Sequence, residues 1–158
     1  MTVLGRVLSL HIATTAAASM GTLEQVHAVA GRGLESDRYF SGFGTFSKFP
    51  GAGRHLTLIE GEALDALRRE HGIDLAPAQA RRNVVTQGVS LNFLVGQEFS
   101  IGAVRLRGIR RCDPCAHLEK LTIPGVRRGL MERGGLRADI VVTGMIRVAD
   151  LIQPVAHR

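Results

Sequence analysis

The chain has 158 residues, 45% of them hydrophobic, which is enough for one contiguous core over residues 1–158 without disulfide staples. Nineteen glycines and five prolines, with no repeat period and no Ser/Gln-rich tract, exclude a repeat array and a disordered chain and predict many turns. The formal charge is +6 and Lys48 and Lys120 are the only lysines, so the cations are guanidinium groups, which suit anion binding better than Schiff-base chemistry.

In chain order, segment 3–13 (VLGRVLSLHIA) predicts a β-strand. Arg6 before its apolar run and small residues after it resemble a signal peptide, but His11 and two threonines dilute the run. A loop from Thr14 to Gly21 follows, then an apolar segment from Val26 to Ala30 ending in the turn Gly31-Arg32-Gly33. The glycine-rich stretch from Gly42 to Gly53, with Pro50 and three phenylalanines, reads as a mobile loop of a length often used for lids. A short strand, His55 to Ile59, follows it.

Glu60 to His71 places Ala63, Leu64 and Leu67 at helical spacing. Acidic residues come early and Arg68, Arg69 and His71 late, which complements the helix dipole, and Gly72 stops the helix. A second helix is expected from Val126 to Arg133, stopped by Gly134-Gly135. Strands are expected at Asn83 to Thr86, Glu98 to Ile101, Val104 to Arg110 and Ala138 to Val142, with Met145 to Val148 closing the chain. Several short strands with two helices predict a mainly β fold, a barrel or strongly bent sheet with helical decoration. No apolar run approaches the roughly 18 residues of a membrane helix, so no membrane association is expected.

Chemistry concentrates in Arg110-Arg111-Cys112-Asp113-Pro114-Cys115-Ala116-His117. Nearby arginines favour the thiolate, which attacks electrophiles and binds metal. Two cysteines are too few for a secreted disulfide framework, and a reducing cytoplasm is the default. A structural zinc site needs four ligands, and no second CxxC or HxxxH is present. A thioredoxin-like dithiol would start a helix in a βαβ unit, which this strand-rich pattern does not predict. The remaining choices are reactive thiols or two buried, inert cysteines beside a proline turn. A second cluster, Gly31 to Tyr39, contains Asp37-Arg38. On pattern alone it is a structural turn with a surface salt bridge, and it lacks the glycine spacing of a dinucleotide fingerprint. A third, Arg81-Arg82-Asn83, reads as a solvated charge pair before a strand.

Taken in order, GRGLESDRYF, RHLTLIEGEAL, RRNVVTQGVSLNFLVGQEFSIG, RCDPCAHL and GLRADIVVTGMIRVAD resemble the blocks of a small stand-alone MOSC protein, the module similar to the C-terminal part of molybdenum-cofactor sulfurases. The likeness covers nearly the whole chain. It implies a MOSC-type β-barrel with a few short helices and a cysteine that coordinates molybdenum or carries sulfur. By this resemblance Cys115 is the metal-ligating or sulfur-carrying thiol, with Cys112 as its companion in the active site. Arg81 and Asn83 match an Arg-x-Asn element that lies against the pterin in molybdenum-binding relatives that reduce N-hydroxylated compounds. Asp37 and Arg38 match the family's Asp-Arg block, with Arg38 implied as a ligand of the cofactor's phosphate. The chain departs from the pattern at Ser36, where the family often has glycine, and it shows no counterpart of the further N-terminal β-domain of those reductases.

The resemblance implies molybdopterin as cofactor, a small-molecule substrate, and a separate electron donor or cysteine desulfurase as partner. Pyridoxal phosphate would belong to that partner, because the two lysines stand outside any motif for it. Two competing readings remain: a redox-sensing Cys112–Cys115 dithiol, and a non-enzymatic basic module for an acidic ligand or RNA, with inert cysteines. With no Trp, one Tyr and six Phe, the chain has few residues that could stack on bases, so nucleic acid is the weaker expectation.

Overall fold

The computed structural model describes residues 3–42 and 52–155. Most of the glycine-rich loop expected over 42–53 therefore lies outside the described residues. The strands are β1 (Gly5–Ile12), β2 (Gly21–Leu23), β3 (Gln25–Val29), β4 (Gly33–Leu34), β5 (Leu56–Glu60), β6 (Val84–Gln87), β7 (Glu98–Ile101), β8 (Val104–Arg111), β9 (Leu136–Val142), β10 (Gly144–Arg147) and β11 (Leu151–Pro154). The helices are α1 (Arg38–Ser41), α2 (Gly61–His71), α3 (Ala116–Leu121) and α4 (Val126–Gly129).

Seven strands form a closed barrel in the order β1, β11, β7, β8, β9, β5, β6 and back to β1. The closing pairs are Gly5 with Ile152 and Arg6 with Leu151, and closure removes the unpaired edges that an open sheet would expose. β2 adds to β1 outside the ring, while β10, β3 and β4 make a separate small sheet. The final barrel strand is β11, beyond the Met145–Val148 segment expected to close the chain. Its sequence, LIQP, is too short and ends too soon in proline to stand out by alternation. No helix among the described residues is long and apolar enough to cross a membrane.

Strand alternation explains how the barrel carries two cores. Along β5, Leu56 and Leu58 point into the ring, where they meet Phe99, Ile101, Leu106, Leu136 and Ile140. Ile59 points outward and, with Val85 of β6, packs under Leu64 and Leu67 of α2, Leu118 of α3, and Val126 and Leu130 of the α4 segment. Each of these fully buried aliphatic side chains contributes about 1.5–3 kcal/mol. β5 and β6 are the parallel neighbours of the barrel, and a parallel pair needs a crossover, which α2 supplies.

α2 begins one residue after its expected start, with Glu60 at the N-cap, and ends at Gly72 as expected. The helix expected over Val126 to Arg133 is confined to Val126–Gly129, because Glu132 takes a left-handed φ of 67° that a continuing helix cannot accommodate. α1 and α3 were not anticipated. α1 is capped by the Asp37 carboxylate, which accepts from the Tyr39 N–H, a short-range signal of the usual N-cap kind.

Candidate functional site

The cysteine loop leaves the barrel at the end of β8, and a β-bulge sets its direction. Gly108 pairs with Ala138 of β9, and the next partners are Arg110 with Arg137 and Arg111 with Leu136, so Ile109 is the extra residue. A bulge bends its strand and re-aims the residues after it. Here it brings Arg110 opposite Arg137 on the outer wall and carries the chain into Cys112-Asp113-Pro114-Cys115. Cys115 is the N-cap residue of α3, which Leu118 anchors in the outer core. The βαβ unit of this fold is β5–α2–β6, and it contains neither cysteine. Both thiols are free, Cys112 buried and Cys115 partly exposed.

Arg82 holds this loop in place. It is only 7% exposed, its Nε donates to the Gly134 carbonyl (2.9 Å) and its Nη2 to the Cys112 carbonyl (3.2 Å). The Cys112 N–H donates to Gly135 O at 2.8 Å. A Cβ at Gly134 would lie 2.5 Å from the Cys112 carbonyl oxygen and 2.7 Å from Pro114 Cδ, so only glycine lets the 134–135 segment approach the loop this closely. The solvated charge pair expected at Arg81-Arg82 is therefore corrected: Arg82 is a buried bracket between two backbone carbonyls.

Behind the loop lies a second fixed network. Asp37 is fully buried, and its carboxylate accepts from the Ala13 N–H (3.2 Å), the Tyr39 N–H (3.3 Å), Arg38 Nη1 (3.2 Å) and Asn83 Nδ2 (3.4 Å). Arg38 is itself buried and stacks over the Tyr39 ring at 4.9 Å. The surface salt bridge expected at Asp37-Arg38 is thus an interior pair. Asn83 is buried beside this pair. Its Oδ1 accepts from the Thr57 N–H (3.0 Å) and hydroxyl (3.2 Å), and its Nδ2 also donates to His11 O (3.0 Å). Both ends of the amide are spent inside the fold, where Asn83 ties β1, β5 and Asp37 together.

Arg38, Tyr39, Thr57, Arg81, Arg82, Cys112, Asp113, Cys115, His117, Leu118 and Arg137 line one recess of about 60 Å³. Four residues implied for the site meet there, both cysteines, Arg38 and Arg81, while Asp37 lies behind Arg38 and Asn83 is not among the lining residues. Arg81 adopts a left-handed φ of 58°, a strained conformation for a branchless but bulky side chain and one that clusters at functional sites. Its Nη1 donates to Ala18 O at 2.6 Å. Burial, followed by repulsion from Arg38, holds its guanidinium below the usual arginine range. A roomier recess of about 520 Å³ between β1, β6 and α2 is lined by no cysteine or histidine.

Comparisons with known proteins bear on the family and the fold. The sequence model of the MOSC domain covers residues 47–153. The chain belongs to the MOSC domain family. Its fold is similar to that of the YuaD protein from Bacillus subtilis, with a TM-score of 0.77 and 17% identity over 94% of this chain and 93% of that one. It is also similar to YiiM from Geobacillus stearothermophilus, with a TM-score of 0.73 and 11% identity over 96% of this chain and 75% of that one. YiiM from Escherichia coli gives 0.67 and 17% over 100% and 71%. Comparison with curated proteins finds no significant match.

In this MOSC chain two lining residues, Arg137 and Thr57, went unnoticed in the sequence, and Arg82, noticed only as half of a solvated charge pair, lines the recess as well. Thr57 and Arg137 are cross-strand partners in β5 and β9, so the recess takes one outward residue from each of two strands. The available signal was an arginine at an outward position of LRADIVV, which is also what any solvated strand face shows. Arg82 was masked by its neighbours, because in RRN nothing local distinguishes the arginine that turns inward.

Proposed function

We propose that this MOSC protein binds the molybdenum cofactor, with Cys115 as the protein's ligand to the metal and a small N-hydroxylated molecule as substrate. The observation that carries the proposal is the meeting, in one recess, of a partly exposed thiol with four guanidinium groups, Arg38, Arg81, Arg82 and Arg137. Among the described residues no group of three or more His, Cys, Asp or Glu could hold a metal ion, so a bare ion has no cage here. A metal that arrives held by its own organic ligand needs only one soft donor, and a thiolate is that donor. Guanidinium groups match the phosphate of such a ligand. The donor set fits the group, although a recess of about 60 Å³ takes one end of it only.

When bound, the cofactor would supply two-electron redox chemistry, with electrons from a separate donor protein. The residues of this chain bind and orient. Cys115 presents its thiolate from the start of α3, Arg38 is fixed by Asp37 and its ring stack, and Arg81 is pinned by Ala18. The packed outer core below Leu118 keeps water from the inner side of the loop.

The small size of the recess favours one second reading, a sulfur carrier. In that case the Cys115 thiolate attacks the terminal sulfur of a persulfide on a cysteine desulfurase, which leaves as thiolate, and Cys115 keeps the sulfur as persulfide until an acceptor takes it. Two assays of protein from a host that makes the cofactor separate these readings: fluorescence of the oxidised pterin, and mass spectrometry of the Cys115 peptide. Pterin lost in Cys115→Ser supports the first reading, and a persulfide on Cys115 without pterin supports the second. Neither signal in wild-type protein, with charge reversal at Arg81 and Arg82 abolishing RNA or acidic-ligand binding, would replace both with a non-enzymatic binding module.

A further inference from the structure

We propose that the recess between β1, β6 and α2 is a second binding site, for an amphipathic cation: an amine or amidine carried on a small apolar body. Its volume is about 520 Å³, within the range of small-molecule sites, and it shares no lining residue with the Cys115 recess. Leu64 of α2, Leu75 from the segment after α2 and Val85 of β6 line it. All three are buried members of the outer core, so the floor is a packed layer. Leu8 of β1 lines it too, but is 39% exposed. Gly61, the first residue of α2, backs onto this side chain, since a Cβ there would lie 2.9 Å from Leu8 Cδ1. A large aliphatic group is thus seated against the helix start and left open to the recess.

The charges around this floor decide the class of ligand. Glu62, Asp65 and Asp74 bring three carboxylates to the lining, and Arg68 brings one guanidinium. Arg68 offsets Asp65, at 3.9 Å and with both side chains mostly exposed. Glu62 accepts from the Gly88 N–H at 2.8 Å, which fixes the carboxylate and leaves its charge uncompensated. The Asp74 side chain has no ion-pair partner among the described residues. Negative charge therefore prevails here on a chain whose formal charge is +6. A cleft lined by one sign of charge over apolar walls concentrates the opposite ion, and the apolar floor takes the body that carries it. The field of the whole chain acts the other way: an anion attracted to the protein at large is repelled at this rim. The site goes beyond the function proposed above, because it needs neither Cys115 nor molybdenum.

The test is calorimetric titration of the protein at constant ionic strength with benzamidine, benzamide and benzoate, which place a cation, a neutral amide and an anion on the same ring. Benzamidine should bind saturably and about tenfold tighter than benzoate, with benzamide between them. Three variants locate the binding. Asp74→Asn should weaken benzamidine about threefold and leave benzamide unchanged. Ala76→Phe places a ring in the recess from an exposed lining position, so it should abolish binding of both while the fold is kept. Glu24→Gln removes an exposed carboxylate outside the recess and should leave benzamidine within about twofold. No saturable benzamidine binding, benzoate bound as tightly, an equal loss in Glu24→Gln, or undiminished binding in Ala76→Phe would each overturn the site.

Discussion

Single residues hold this site in place from behind, and their effects can be measured separately from the chemistry. Arg82 satisfies the carbonyls of Gly134 and Cys112; Arg82→Met leaves both without that donor and should cost about 1–3 kcal/mol. Its specific signature is on Cys112, which is 2% exposed. Iodoacetamide should label Cys115 alone in wild type and both cysteines in Arg82→Met, with peptide mass spectrometry as the readout. Ser36 has a left-handed φ of 69°. The departure from the family's glycine thus keeps the turn and strains the residue. Ser36→Gly should raise unfolding stability by about 0.5–1 kcal/mol in urea titrations.

His11 gives a pH dependence whose sign follows from its burial in β1, between the Thr22 and Ser9 hydroxyls. Burial lowers its pKa from the usual 6.5. Below that value the unfolded chain binds a proton that the folded protein still excludes, so stability is intact above 6.5 and falls as pH drops toward the lowered folded value. The difference in urea midpoint between about pH 7.5 and about pH 5.5 should shrink in His11→Gln. At this scale the sequence was legible where a residue type has one use. Cys115 at the recess and Arg38 and Arg81 around it were expected from the family resemblance. The interior hydrogen bonds of Asn83 were not legible, because they depend on Thr57, His11 and Asp37, which lie far from it in sequence.

At the scale of elements, periodicity served well where burial is one-sided and poorly where a close contact sets the geometry. α2 was visible because Ala63, Leu64 and Leu67 repeat on one face, and β9 because Leu136, Ala138 and Ile140 alternate. The bulge at Ile109 was not visible, since VRLRGIRR reads as plain alternation, yet it aims the whole cysteine loop. Nor was the start of α3, whose six residues are held by Leu118 rather than by any capping side chain. The 134–135 segment shows how strict such contacts are. A Cβ at Gly135 would lie 1.9 Å from the Leu58 carbonyl oxygen, at a φ of 116°. Gly135→Ala should therefore cost more than about 3 kcal/mol, seen as loss of the cooperative thermal transition or a large fall in its midpoint.

Over the whole molecule, the closed ring with a second core on its outer wall explains why a small chain can hold a partly exposed thiol at a fixed place. The barrel interior supplies stability, and the helical layer over Ile59 and Val85 supplies an anchored helix start beside strands that present arginines outward. The barrel class was legible from many short strands and glycine-rich turns, whereas closure through β11 depends on pairing with β1 from the opposite end of the chain, which no local pattern encodes.

The assignment of Cys115 as the metal's ligand is tested most directly by the molybdenum-to-protein ratio, measured by elemental analysis. Wild type, Cys112→Ser and Cys115→Ser should be prepared in parallel from a host that makes the cofactor. Stoichiometric molybdenum in wild type and Cys112→Ser, with none in Cys115→Ser, is the expected result. Equal molybdenum in wild type and Cys115→Ser would contradict it.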